Sequence, residues 1–300
     1  MIKNSKVSII IPVYNGANFL AQAIDSVLRQ TYQNIEIIVV NDGSKDYGAT
    51  ERIAQSYGRK IRYFSKSNGG VSSALNFGIK KMTGDYFSWL SHDDIYLPGR
   101  VQTQIDFLKN QPPNTILYSD FEFIDSDNRH LATINIVPPR DDQFVYTLIM
   151  RRFLHGCTVM IPKEAFQKTG EFNENLKNCQ DYEMWLRMSK QGFIFHHLNQ
   201  VLVQGRIHPN QGGNLRKEIQ FKDEEQVYQW VLANFSPEEI FGKVKDKAQY
   251  YFNLALGCKK AGLPKTGELA RKLGRKNLSY QNYFPNWLYY FYCNWWDKKR

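Results

Sequence analysis

A chain of 300 residues with 42% apolar side chains is long enough to bury one core of ~200 residues and to carry a smaller appendage, which places it in the globular class. Lys and Arg exceed Asp and Glu by 39 to 29, and residues 216–300 hold 16 basic against 9 acidic side chains, so the excess is concentrated in the last third. Such a tail suits phosphate-bearing or anionic-lipid partners, or a plainly soluble surface, and nothing in it indicates nucleic acid.

The first apolar run, Val7–Val13, is β-branched, too short to span a bilayer and not followed by a cleavage site of small residues. It reads as a buried strand of a cytoplasmic protein. Residues 17–30 then place Phe19, Leu20, Ala23, Ile24, Val27 and Leu28 on one helical face, and a second strand follows over 35–41. Strand, helix and strand of this length make a parallel crossover. The pattern continues with a helix over 46–57, a strand over 61–65, a helix over 72–82, a strand over 85–90 and a helix near 101–108 opened by Pro98. From 114 to about 210 strands and short helices mix, including a strand over 157–161 and a helix over 181–190.

After Gly213 the chain reads as helical to about Phe235. Ser236, Pro237 and Glu239 then combine an N-cap, a first-turn proline and a capping-box glutamate, opening a helix that carries Ile240, Val244, Ala248 and Tyr251. The segment 283–296 is dense in aromatics and flanked by Lys298, Lys299 and Arg300; it either anchors at a membrane interface or docks on the protein's own core. The expected domains are 1–215 and a helical extension over 216–300. Cys157, Cys179, Cys258 and Cys293 form no metal-type pair and read as reduced thiols.

Sheets covered on both faces bind ligands at the carboxyl ends of their strands, and the polar residues collect there: Tyr14-Asn15-Gly16, Asn41-Asp42-Gly43-Ser44 and Ser91-His92-Asp93-Asp94. Adjacent carboxylates such as Asp93 and Asp94 repel unless a cation or donor compensates them; a hard divalent ion bridging to a diphosphate does so, and so does a solvated turn capping the next helix. The Asp42 turn and Asp181, which is placed to cap the 181–190 helix, have equally plain structural readings.

In order, the segments 7–16, 37–44, 68–78, 83–86 and 92–94 resemble family 2 glycosyltransferases, inverting enzymes with the GT-A-type, Rossmann-like nucleotide-sugar-binding fold: an α/β domain on a mixed central sheet, here followed by the helical extension. The resemblance covers roughly residues 6–210. It implies a metal-dependent hexosyltransferase that moves a sugar from a nucleotide-diphosphate donor, most often a UDP-sugar, to a hydroxyl of a glycan or lipid-linked acceptor. By the same resemblance Pro12, Val13, Tyr14, Asp42, Asn68, Asp93 and Arg206 hold the nucleotide-sugar, and Asp94 with His208 holds Mg²⁺ or Mn²⁺. Asp181, ahead of a tryptophan-containing helix, is the general base, with Glu183 as second choice. Many members carry a third acidic residue ahead of the aspartate pair, where this chain has Ser91, and an arginine where it has Leu75. The segment 155–158 approaches sugar and acceptor in relatives, and Gly156 permits close approach.

A dehydrogenase needs a glycine fingerprint after the first strand, which residues 14–18 lack. A nucleotidyltransferase calls for a basic, glycine-rich N-terminal loop. The remaining alternative is a non-catalytic carbohydrate-binding or scaffold protein on the same fold, favoured by the missing third acid and opposed by the joint presence of Asp42, Asp93, Asp94 and Asp181. The expected setting is the cytoplasm, with peripheral contact at the inner membrane face through the tail.

Overall fold

The computed structural model describes residues 5–209 and 217–278. The aromatic segment 283–296, with Cys293, lies outside the described residues, as does the expectation attached to it. In chain order the elements are β1 (Val7–Val13), α1 (Leu20–Leu28), β2 (Ile35–Asn41), α2 (Ala49–Ser56), β3 (Arg62–Ser65), α3 (Val71–Lys81), β4 (Tyr86–Trp89), β5 (Ile95–Tyr96), α4 (Arg100–Leu108), β6 (Thr115–Ile124), β7 (His130–Ile134), α5 (Phe144–Arg151), β8 (Met160–Pro162), α6 (Glu164–Thr169), α7 (Gln180–Lys190) and β9 (Ile194–Arg206). Among the described residues four further helices follow: α8 (Lys217–Asn234), α9 (Pro237–Phe241), α10 (Lys247–Lys260) and α11 (Pro264–Lys276).

The strands form one mixed sheet in the order β3-β2-β1-β4-β8-β6-β9-β5, with β7 paired to β6. β3, β2, β1 and β4 run parallel; β8 opposes β4, and β6 and β9 are again parallel. Every residue of β1 is buried, which is why its sequence is a continuous apolar run without alternation. α1 starts at Leu20, three residues later than its pattern, and Leu28, assigned to its apolar face, is 40% exposed at the last turn.

Glu36, on β2, is buried and acts as a clasp at the amino edge of the sheet. Its carboxylate accepts from Ser8 Oγ at 2.5 Å, Thr83 N at 2.6 Å and Arg62 Nη1 at 2.6 Å, and so fixes the turn that feeds β4. Burial alone raises its pKa, but these donors outweigh it and bring the carboxyl from 4.5 to about 2. A depressed folded-state pKa contributes stability that is present above pH 4.5 and lost as pH falls towards about 2. Glu36→Ala, which leaves buried donors without an acceptor, is expected to cost about 2–4 kcal/mol in urea unfolding at neutral pH and to flatten stability in that acid window.

Two compact units emerge: residues 1–138 with 153–215, and residues 139–152 with 216–300. The second unit takes α5 out of the stretch 1–215. Within it the expected capping box is present, with Ser236 Oγ accepting from Glu239 N and the Glu239 carboxylate accepting from Ser236 N. The helix it opens does not reach Tyr251. α9 stops at Phe241 because Gly242 takes φ 70°, and α10 starts afresh at an Asp246 cap whose side chain accepts from Gln249 N. Among the described residues, no helix is long and apolar enough to cross a membrane.

Candidate active site

Val13 pairs with Asn41 and Ile10 with Trp89, so β1, β2 and β4 release their following loops at the same edge of the sheet. Pro12 and Val13 are buried within β1, whereas Tyr14 is 42% exposed at its end. Asn15 ties its loop to the next one: its Oδ1 accepts from Lys45 N at 2.7 Å and its N–H donates to Ser44 Oγ at 2.9 Å. Asp42 is buried, and its carboxylate accepts from Lys66 Nζ (2.8 Å), Gly69 N (3.1 Å) and Gly70 N (2.7 Å). Asn68 Nδ2 donates to the Asp42 carbonyl at 2.9 Å. Gly69 N reaches both oxygens at 3.1 Å, so each oxygen of the Asp42 carboxylate accepts twice, and Asp42 and Asn68 hold the entry to α3 in shape.

The β4 end carries the aspartate pair. Asp93 Oδ2 lies 3.0 Å from His208 Nε2, whose ring packs on Phe19. Asp94 points the other way: Oδ1 accepts from Arg206 N at 2.9 Å, Oδ2 accepts from Cys157 Sγ at 3.1 Å, and His155 Nε2 stands 4.0 Å from the same oxygen. Burial, then the charge of Asp93, raises the Asp94 carboxyl to about 7. The Cys157 thiol is pushed well above its usual range by burial and by Asp94, so it acts as a donor.

Asp181 enters through the first turn of α7, behind Cys179 in the left-handed conformation at φ 61°. Its Oδ1 accepts from Tyr182 N at 2.9 Å, and the Tyr182 hydroxyl donates to Leu154 O at 3.2 Å, which ties the start of α7 to the segment carrying His155. Burial raises the Asp181 pKa, against the Tyr182 N–H and the charge of His155. His155, whose own pKa burial lowers, feels both Asp181 and Asp93. The charges of Asp93 and Asp181 thus both act on the imidazole that stands 4.0 Å from Asp94. Glu183 faces elsewhere, in a bidentate pair with Arg187 at 2.6 and 2.9 Å.

Two assignments change with the geometry. The Arg206 guanidinium is not presented to a diphosphate: the residue is 1% exposed, lies over Phe19, and donates to Asp93 O, Asp125 O and Gln22 Oε1 at 2.8, 2.8 and 3.0 Å. It shapes the aspartate loop from behind. His208 meets Asp93, not Asp94. The expected 157–161 strand is a 3-10 turn over Gly156–Thr158 followed by β8, and Gly156 lies so close to Trp89 that a Cβ there would stand 2.6 Å from the indole.

Three contributors have no sequence signal of their own. Cys157 also lies 3.3 Å from Ser91 N and Oγ, so the thiol fills the region where Ser91 replaces an acid. Arg100, fully buried, donates to Cys157 O and Val159 O at 2.9 Å and holds the turn against Tyr96. Lys66 places a cation beside Asp42.

The residues fit a divalent ion. Two adjacent buried carboxyls, one raised to about 7, leave a charge imbalance that a cation relieves. Among the described residues the ligand atoms of Asp94, His155 and Cys157 lie within 4.8 Å of one another, with Asp93 and His208 adjacent, and such a set of oxygen with nitrogen suits Mn²⁺ at least as well as Mg²⁺, which prefers oxygen alone.

A mixed sheet with flanking helices whose carboxyl edge carries these acids defines a GT-A-like domain. The family model described as glycosyl transferase family 2 matches residues 8–170, and the chain belongs to that family. It is 48% identical over 245 residues to an uncharacterised glycosyltransferase of Rickettsia conorii, covering 80% of this chain and 40% of the relative. It is 42% identical over 277 residues to another from Rickettsia typhi, covering 91% and 86%. The chain thus spans about 40% of the length of the first curated relatives it matches. The chondroitin synthase of Pasteurella multocida is 30% identical over 255 residues, 82% of this chain and 26% of the synthase. Among solved structures, S. aureus TarS 1–349 in complex with UDP-GlcNAc superposes with TM-score 0.65 at 13% identity, over 92% of this chain and 93% of TarS. The mannosyltransferase PcManGT from Pyrobaculum calidifontis, in complex with GDP-Man and Mn²⁺, does so with TM-score 0.59 at 16% identity, over 92% and 76%.

Proposed function

We propose that the chain is an inverting, metal-dependent hexosyltransferase that moves a sugar from a UDP-sugar to a hydroxyl of a glycan or lipid-linked acceptor. The observation that carries this reading is the buried Asp93–Asp94 pair at the carboxyl edge of the sheet, with Asp94 4.0 Å from a His155 ring on which the charge of Asp181 also acts. Complexes of UDP and UDP-GlcNAc with TarS support a uridine donor, and the GDP-Man complex of PcManGT marks guanosine as the competing choice.

In this reading the exposed Tyr14 and Asp42, with Lys66 beside Asp42, receive the nucleoside. Pro12, Val13 and Asn68 hold that end in shape through the sheet and the Asp42 carbonyl. Asp93 and Asp94, with His208 as the nitrogen donor nearest to them, would hold Mg²⁺ or Mn²⁺, which when bound supplies a Lewis acid for the negative charge of the departing diphosphate. Asp181 takes the proton of the acceptor hydroxyl as the acceptor oxygen bonds to the anomeric carbon from the face opposite the breaking bond to the diphosphate. Burial makes its carboxylate a stronger base than an exposed one, which is what this step needs. His155 and the Tyr182–Leu154 contact orient it.

We place the transferase proper in 1–215 and a separate helical extension in 216–300, working in the cytoplasm with the basic tail near the inner membrane face. The test is a screen of UDP- and GDP-sugars for release of the nucleoside diphosphate with and without a glycan acceptor. Acceptor-stimulated release of UDP is expected. No release from any donor in the presence of Mn²⁺ would favour a binding protein on this fold.

A further inference from the structure

The sequence sets one feature apart from the sugar-transfer chemistry: residues 259–278 contain seven Lys and Arg against one acid, Glu268. The structure turns that bias into a shape. α10 and α11 pack as a hairpin at close range because their seam is made of small residues; a Cβ on Gly267 would stand 3.1 Å from the Ala255 carbonyl. Over this narrow floor runs a groove of about 340 Å³, walled by Lys259, Arg271, Lys272 and Arg275, with Glu268 as its one carboxylate. Glu268 pairs with Lys272 at 3.1 Å, and the lining as a whole carries four cations against that one carboxylate.

The lining follows one stripe of α11 from Pro264 to Arg275, a run of ~16 Å at the helical rise. Arg271 and Arg275 are one turn apart on it, their Cβ atoms ~6 Å from each other. That is a track for charges repeated along an extended chain, and guanidinium groups bind carboxylate and phosphate oxygens in pairs. The groove is concave, and none of the exposed large apolar residues of the described chain lies on α11. A surface that inserts into lipid presents such residues among its cations.

We infer that the α10–α11 groove binds a polyanionic glycan, the acceptor polymer or a stretch of it, by the carboxylate or phosphate groups repeated along its length. The inference rests on the glycan-transfer reading for the identity of the polymer, not for the existence of the groove.

The test is fluorescence anisotropy of the full chain with a labelled polyuronate oligomer, with neutral dextran as control, phosphatidylglycerol vesicles as a separate arm, and UDP binding measured on the same samples. Binding of polyuronate but not dextran is expected. It should weaken about tenfold or more in the Arg271→Ala/Arg275→Ala double variant, and rising salt should abolish it. The Arg271→Lys/Arg275→Lys variant, which keeps the charge, should retain most of it, and UDP binding should be unchanged in both. Equal binding by the alanine variant and wild type, equal binding of dextran, or binding to vesicles alone would overturn the proposal. Loss of UDP binding in the wild type would strike the transfer reading and leave the groove measurement standing.

Discussion

Asp181→Asn is expected to cut acceptor-dependent transfer by about 10²–10⁴-fold while leaving affinity for UDP unchanged. The asparagine keeps the shape and can still accept from Tyr182 N, so α7 retains its start; what is lost is the proton acceptor. Because burial raises the Asp181 pKa, the wild-type rate should fall as pH drops through a value above the ordinary carboxylate range, one proton being involved. The variant's residual rate should lack that limb. If Asp181 only capped α7, the substitution would change stability and leave the pH profile in place, so steady-state kinetics across pH separates the two roles. Glu183→Gln should break the pair with Arg187 and leave the profile intact.

The second large effect is expected at Asp94. Loss of an outer-shell partner typically costs 10–100-fold in metal affinity, so Asp94→Asn, which removes a proposed ligand's charge, should lower Mn²⁺ affinity by at least about 100-fold in an electron paramagnetic resonance titration. With the carboxyl raised to about 7 by burial and by Asp93, an incoming ion displaces a proton below that pH. Wild-type affinity should therefore weaken about tenfold per pH unit on the acid side, and the variant should show no such slope. Stability should move in the opposite direction. A carboxyl whose folded-state pKa lies above its unfolded value of 3.8 contributes stability that is full below 3.8 and lost as pH rises through about 7. Without metal and above that pH, Asp94→Asn should melt no lower than wild type. A variant that binds less ion and is no less stable is the mark of a site whose charge serves a ligand.

Much of this architecture was legible in the residues because the parallel half of the sheet repeats short signals. β-branched runs gave β1 and β2, and Ser236-Pro237-Glu239 gave the start of α9 to the residue. The polar strand ends marked the edge where the site lies. What escaped depended on contacts distant in sequence. Gly242 stops a helix through its φ, although the apolar spacing runs on to Tyr251. Arg206 was given to the nucleotide-sugar by the family resemblance alone, whereas its guanidinium donates to backbone carbonyls of the 93 and 125 segments. Cys157 looked like a small apolar residue in a strand; only the fold sets its sulfur between Ser91 and Asp94, 66 and 63 residues away. His155 was visible only as the start of the 155–158 segment, and its setting beside Asp94, within the influence of Asp93 and Asp181, comes from acids that two separate segments supply.

The most direct measurement is a calorimetric titration of UDP into the wild-type chain with and without Mn²⁺, repeated on Asp94→Asn. Mn²⁺-dependent binding by the wild type that the substitution abolishes is the expected result. Failure of every nucleoside diphosphate to bind the wild type, or undiminished Mn²⁺-dependent binding by Asp94→Asn, would contradict a donor site built on the aspartate pair.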